Sequence, residues 1–219
     1  MLDIGSGTGQ LARAISDGAG IVVALEPEPD MVAVGKRSTA EHANIEWQIG
    51  RDADVPRLFG HVEPFDLVTV GNAFHHMDRR RLIDDLDAVV TDSGCVAICS
   101  SGVPAWLQSA DWSIALRDTL RTEFGMAADR AGVPDHDTDR VVLSNSAFST
   151  VDRWSFEQIE PRSIGSIVGE LVSSASGLID PERARRLHDV LAPFAAEEQV
   201  LEMAATTALI ATRKPRRST

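Results

Sequence analysis

The chain has 219 residues, 43% of them hydrophobic and 25% charged, and a formal net charge of −12. That length can bury one sizeable core, so one domain with an elaborated region is expected. The acidic balance argues against broad nucleic-acid binding, which needs a basic surface. No apolar run reaches the roughly 20 residues of a membrane helix, so neither nucleic acid nor membrane is an expected partner. Along the chain, Met1 to Ile4 reads as the stub of a strand, and Gly5-Ser6-Gly7-Thr8-Gly9 follows it. Glycines at alternate positions let the backbone approach a ligand and adopt angles closed to other residues. The N–H groups of the following helix face the same place. The dinucleotide fingerprint G-x-G-x-x-G would put its third glycine at position 10. Gln10 stands there instead, and the third glycine comes one residue early.

Gln10 to Asp17 fits a helix, with Leu11, Ala14 and Ile15 on one face. Ile21 to Leu25 is a continuous apolar run of the kind found in strands buried on both faces. It ends in Glu26-Pro27, and Pro29-Asp30-Met31 opens the next helix. Asn44 to Ile49 is a third strand, ending in Gly50-Arg51-Asp52, and Phe65 to Val70 is a fourth. Arg81 to Val90 carries a helical stripe, Asp92-Ser93-Gly94 a turn, and Cys95 to Cys99 a fifth strand. The two cysteines then sit about 13 Å apart at roughly 3.3 Å per residue, too far for a disulfide. With no histidine near them at ligand spacing, no metal site is expected. Trp106 and Trp112 lie in an irregular start, a helix follows, and Gly125 to Arg140 reads as a loop. Asp152 to Ile159 alternates as a strand, Ile164 to Val172 is a helix, and Asp180-Pro181-Glu182 is a capped helix start. Val200 to Ala211 closes as a last strand. Arg79 to Arg81, and the tail Arg213, Lys214, Arg216 and Arg217, read as a solvated helix start and a loose terminus.

Strands alternating with helices imply an α/β fold: a Rossmann-like, seven-stranded, mostly parallel sheet with helices on both faces. The expected parts are a core over 1–102, a helical lid or substrate-pocket insertion over 103–147, and closing strands and helices over 148–219. Ligands in such sheets sit beyond the carboxyl ends of the strands. The glycine turn, Glu26, Asp52 and the stretch Asn72 to Asp78 all fall there.

Asp3-x-Gly5-x-Gly7-x-Gly9 resembles motif I of the class I S-adenosylmethionine-dependent methyltransferases. Glu26-Pro27-x-Pro29-x-Met31 resembles motif II, and Asn72 to Asp78 and Asp92 to Val96 resemble the family's fourth-strand and fifth-strand regions. The likeness runs over essentially the whole chain and points to the small-molecule, type 11/25-like branch. It implies S-adenosyl-L-methionine as cofactor, S-adenosyl-L-homocysteine as product, and methyl transfer to O, N or C of a small molecule in the cytoplasm. Glu26 would accept from both ribose hydroxyls, as a carboxylate matches a vicinal diol. Met31 would lie on the adenine. Asp52 would take the adenine amino group and the Ala53 N–H a ring nitrogen. Asp3 would help hold the methionine end. Gly5, Gly7 and Gly9 supply the approach surface, and Ser6, Pro27, Gly71 and Asn72 complete the cofactor's surroundings.

His75 and His76 border the place where the family holds its acceptor. A histidine of near-neutral pKa can take a proton from the nucleophile. His75 is the candidate base, and His76 matches the family's more frequent histidine, a structural or cofactor-facing residue. Packing or helix capping is the alternative for both, and neighbouring side chains are expected to diverge. Trp106, Trp112, Phe124 and Met126 either line an apolar acceptor pocket or pack the insertion. Arg153, Arg162 and Arg183 are candidate carboxylate binders.

The sequence departs from the family by being short at the N-terminus. The motif lies at its start, where relatives carry a helix over the cofactor. Residues upstream of Met1, or a second subunit, would be expected to cover the cleft, which makes a homodimer one expected arrangement. Two other functions stay open: a non-catalytic binder of the cofactor or its product, and a family member recruited to another reaction.

Overall fold

The computed structural model describes residues 1–60, 63–127, 135–174 and 177–214. The elements in order are β1 (Leu2–Ile4), α1 (Gln10–Ile15), β2 (Val22–Glu26), α2 (Pro29–Ser38), β3 (Ile45–Ile49), α3 (Val55–Phe59), β4 (Phe65–Gly71) and α4 (Arg79–Leu86). There follow β5 (Val90–Ser101), α5 (Asp111–Thr122), α6 (His136–Ser144), β6 (Thr150–Ser163), α7 (Ile164–Ser174), α8 (Pro181–Leu191) and β7 (Gln199–Thr212). The seven strands form one sheet in the order β3-β2-β1-β4-β5-β7-β6. β1 lies parallel between β2 and β4, with Asp3 opposite Ala24 on one side and Thr69 on the other. The order reverses between β1 and β4, which opens a crevice at their carboxyl ends.

Side-chain alternation along β2 shows why the sheet must be covered twice. Val22 and Ala24 pack with Ala12 of α1, whereas Leu25, with Val23, joins the cluster that holds Val55, Phe59, Leu82 and Leu86 from α3 and α4. Both faces are apolar, so β2 reads as an unbroken apolar run.

Two compact units divide the described residues: Met1–Ser100, Asp135–Ser155 and Thr207–Thr219 in the first, Ser101–Pro134 and Phe156–Thr206 in the second. These limits fall differently from 1–102, 103–147 and 148–219. The second unit has its own core, with Leu116 and Leu120 of α5, Ile164 and Ile167 of α7, and Leu187 and Leu191 of α8. Asp180 caps α8 by accepting from the N–H groups of Glu182 (2.9 Å) and Arg183 (2.8 Å).

Several elements differ from the sequence reading. The helix expected to reach Val90 stops at Leu86. Val89 and Val90 are buried like the helical stripe before them, but Val90 opens β5. Phe65 pairs with Val90 and Leu67 already with Cys95, so the expected turn at Asp92–Gly94 becomes a loop inside the strand. A Cβ on Gly94 would sit 2.9 Å from the Asp66 carbonyl, which leaves room only for glycine. The loop expected over 125–140 gives way to α6 at His136, where Asp135 accepts the Thr138 N–H at 3.0 Å. Residues 128–134 of that loop lie outside the described residues, as do Arg216 and Arg217 of the basic tail. Arg213 is no loose tail residue: it pairs with Asp87, donates to the Val90 carbonyl at 3.1 Å and lies 4.6 Å from the Phe148 ring centre. Arg79 likewise pairs with the buried Asp139 at 3.2 Å. Cys95 and Cys99 are free thiols, and burial raises the pKa of both. No helix among the described residues is long and apolar enough to cross a membrane.

Candidate active site

The chain leaves β1 through three left-handed glycines, Gly5 (φ 69°), Gly7 (φ 56°) and Gly9 (φ 81°). The Gly5 and Ser6 N–H groups both donate to the Leu25 carbonyl, at 2.8 and 3.1 Å, which fixes the turn to β2. The Ser6 hydroxyl donates back to the Asp3 carbonyl at 2.7 Å. A Cβ on Gly5 would come within 2.7 Å of the Ala73 Cβ, and one on Gly9 within 2.8 Å of the Trp47 ring. A Cβ on Gly7 would meet nothing within 4 Å. Packing therefore demands two of the glycines, and the third borders open space.

Glu26 ends β2 and is buried. Its Oε2 accepts the Gly7 N–H at 2.9 Å and its Oε1 the Glu28 N–H at 3.1 Å. A carboxylate offers about four acceptor positions, so each oxygen keeps capacity for one more donor. That suits two adjacent hydroxyls. Pro27 is half-buried beside it. Met31, in the first turn of α2, is 45% exposed and so is not a core residue. The Gly50 N–H donates to the Glu26 carbonyl at 3.2 Å, which brings the loop after β3 alongside. There a short 3₁₀ turn, Asp52–Asp54, carries Asp52 half-buried and Ala53 exposed. Asp54 fixes this turn, accepting the Arg51 N–H at 3.0 Å and pairing with Arg57 at 3.1 Å. The Arg51 N–H and the Arg57 guanidinium keep its carboxyl below the ordinary range.

Asp3 is buried in mid-sheet, and the Thr69 hydroxyl donates to its Oδ1 at 2.6 Å. Its Oδ2 has no partner among the described residues. Burial pushes its pKa up to about 6 against the Thr69 hydrogen bond. An orphaned buried carboxylate oxygen is costly and fits a donor supplied by a guest, such as an ammonium group.

At the end of β4, Gly71 faces Leu11, and the Asn72 N–H donates to the Cys99 carbonyl at 2.9 Å. Asn72 is left-handed (φ 51°) and turns the chain so that Ala73 abuts Gly5. Phe74 is buried, and His75 and His76 are exposed. Their ring centres lie 3.9 Å apart at 45°, so the two side chains lie together rather than diverging. Partial burial, then the neighbouring His76 and Arg79, lower the His75 pKa. Thus Asp3, Gly5, Ser6, Gly7, Gly9 and Glu26 share one hydrogen-bonded cluster, Asp52 and Ala53 are tied to it through Gly50, and Gly71 and Asn72 adjoin it. Among the described residues, neither histidine forms a hydrogen bond with Asp3, Glu26 or the glycine turn.

Sequence reasoning missed Trp47. Its ring fills the space left by Gly9 and by Gly35 of α2, where a Cβ would stand 2.1 Å away, and its indole N–H donates to Thr39 Oγ1 at 3.1 Å. It sets the outer wall of the glycine turn. The signal was Gly35, a glycine inside a helix, where it costs stability unless a neighbour needs the room. Of the residues named for an acceptor pocket or for packing, Trp112 is buried and donates to the Leu201 carbonyl at 2.9 Å, while Trp106, Phe124 and Met126 are half-buried against the same core. Arg162 is engaged by Glu202 (2.9 Å) and Glu170. Arg183 donates to the Leu178 carbonyl at 2.6 Å and lies 5.1 Å from the Phe124 ring centre.

A sheet ordered 3-2-1-4-5-7-6, with a three-glycine turn clasped to an acid at the end of the second strand, is a Rossmann-like α/β fold that the chain shares with solved methyltransferases. Residues 1–94 match the family model of the methyltransferase domain. An uncharacterized methyltransferase from Staphylococcus carnosus is 32% identical over 101 residues, which cover 45% of this chain and 45% of that protein. The match thus spans under half the length of this curated relative. A candidate type II methyltransferase from Anaeromyxobacter dehalogenans has the same fold at 16% identity (TM-score 0.62; 97% of this chain, 88% of that one). So does a Haemonchus contortus N-methyltransferase solved with phosphomonomethylethanolamine and S-adenosylhomocysteine, at 14% identity (TM-score 0.55; 98% of this chain, 48% of that one).

Proposed function

We infer that the chain is an enzyme that transfers a methyl group from S-adenosylmethionine to O, N or C of a small-molecule acceptor. The supporting observation is the shared use of Glu26: one carboxylate oxygen holds the glycine turn through Gly7, the other accepts from Glu28, and each keeps one acceptor position. The cofactor supplies an electrophilic sulfonium methyl. Glu26 receives the ribose hydroxyls, Asp3 Oδ2 takes a proton donor of the methionine end, and Gly7 leaves the backbone open to close approach. Pro27 and Met31 border the adenine, while Asp52 and the Ala53 N–H read its edge. Gly71 and Asn72 close the far side. His75 takes the proton released by the acceptor. An in-line arrangement supplies most of the acceleration, and a base adds roughly 10²–10⁴-fold.

Titration calorimetry with S-adenosylmethionine and S-adenosylhomocysteine tests the binding, and a methyl-transfer assay over a panel of small hydroxyl, amine and carbon acids tests the activity. One equivalent of each bound, with turnover of at least one acceptor class, is expected. Binding without any turnover would favour a non-catalytic binder, and no binding would refute the reading altogether.

A further inference from the structure

β6 ends the sheet, and only β7 pairs with it among the described residues. It is fourteen residues long, and residues 152–161 are exposed throughout. Edge strands usually carry charge, proline or a bulge to stop another chain from adding on. This one presents Trp154 at 58%, Phe156 at 63% and Ile159 at 69% exposure, with Pro161 only near its far end. Large apolar groups along a long open edge need a reason.

The order of residues on β6 supplies one. Directly opposite residues of an antiparallel pair lie on the same face. Two copies of one strand, related by a two-fold axis normal to the sheet, must therefore be centred on a residue. Centred on Ser155, the pairs are Ser155 with itself, Trp154 with Phe156, Arg153 with Glu157, Asp152 with Gln158, and Val151 with Ile159. Aromatic meets aromatic, cation meets anion and aliphatic meets aliphatic, each twice by symmetry. Other centres break this match. On Trp154, Asp152 faces Phe156 and Val151 faces Glu157. On Phe156, Asp152 faces Glu160 and Arg153 faces Ile159. On Arg153, two like charges coincide. Arg153 and Glu157 are both exposed and form no salt bridge among the described residues, so each is available to a second chain. The palindrome covers nine residues, about 30 Å of strand at roughly 3.4 Å per residue.

We propose that β6 is a self-pairing edge: two copies of this chain join antiparallel about Ser155 and extend the sheet across an isologous two-fold interface. The occupant is a second copy because the charge and apolar pattern is complementary to itself. The surface is independent of what the glycine turn binds.

The test is the molar mass of the full chain by light scattering after size exclusion, or by sedimentation equilibrium, with circular dichroism as the check on folding. The wild type is expected at twice the chain mass. Arg153→Glu and Glu157→Arg, each placing like charges at two symmetric positions, are expected to halve it. The double reversal Arg153→Glu with Glu157→Arg restores both pairs and is expected to return the dimer. A monomeric wild type, single variants that remain dimeric, or a folded double variant that stays monomeric would each overturn the proposal.

Discussion

The acid buried in the second unit and the two buried at the glycine turn of the first are held in different ways. In the second, Glu202 is buried and held by side chains: Arg162 reaches both of its oxygens, at 3.0 and 2.9 Å, and Gln108 adds a third donor at 3.0 Å. Its partners are all its own. In the first, among the described residues, Asp3 leaves one carboxylate oxygen without a partner, and Glu26 accepts one backbone N–H at each oxygen. Buried polar groups that are satisfied internally fix a fold, whereas those left with spare capacity mark the place for a guest. The glycines repeat the contrast: Gly5 and Gly9 are filled up to by Ala73 and Trp47, and Gly7 alone borders open space.

That contrast can be broken most forcefully at Glu26. Glu26→Gln should weaken S-adenosylhomocysteine binding by about 4 kcal/mol, on the order of 10³-fold, if two hydrogen bonds to a charged group are impaired; calorimetry on wild type and variant reads this directly. In the second unit the prediction is of the other kind. Arg162→Ala leaves the Glu202 charge unpaired and should lower unfolding stability by about 3 kcal/mol, while the joint change Arg162→Met and Glu202→Leu should recover most of that loss in denaturant titrations. Ligand affinity should be unchanged in the folded double variant.

Asp3 gives the contrast a pH signature. Its carboxyl is raised from 3.8 to about 6 in the folded chain, so the folded state holds the proton where the unfolded state has lost it. The contribution to stability is fully present below 3.8 and is lost as pH rises through about 6, by about 3 kcal/mol in all. Wild type compared with Asp3→Asn, unfolded at several pH values across that window, should show a difference that shrinks toward acid. A guest ammonium on Oδ2 favours the carboxylate, so S-adenosylhomocysteine should bind more tightly above that window than below it, and Asp3→Asn should flatten this dependence. The smallest effect separates two glycines. Gly5→Ala combines a left-handed backbone with the Ala73 contact and should cost about 2–3 kcal/mol of stability. Gly7→Ala meets no protein atom and should cost about 1 kcal/mol from backbone strain alone, yet it should still weaken ligand binding.

The first unit was legible because its signals are local. Continuous apolar runs gave β2 and β4 to within a residue, and the glycine spacing, Glu26 and Asp52 could be placed at strand ends from order alone. What was hidden depends on partners far along the chain or on local signals too short or too loop-like to read. Trp47 explains Gly35 only once β3 lies beside α2. α3 has five residues, too few for a helical period to show. α6 starts from an Asp135 cap set in a stretch rich in Gly, Pro and Asp, the composition of a loop. Val89 and Val90 continue a helical stripe in sequence, yet the pairing of Phe65 with Val90 claims Val90 for the sheet. The Trp106, Trp112, Phe124 and Met126 set could not be assigned to pocket or core by spacing, and burial places Trp112 in the core.

The most direct test is a crystal structure of the chain grown with saturating S-adenosylhomocysteine. The account predicts both ribose hydroxyls on the Glu26 carboxylate, the amino group on Asp3 Oδ2 or one water away, and the ligand backbone passing over Gly7. A ligand bound elsewhere, or one that leaves Glu26 and Asp3 untouched while occupying the crevice between β1 and β4, would contradict it.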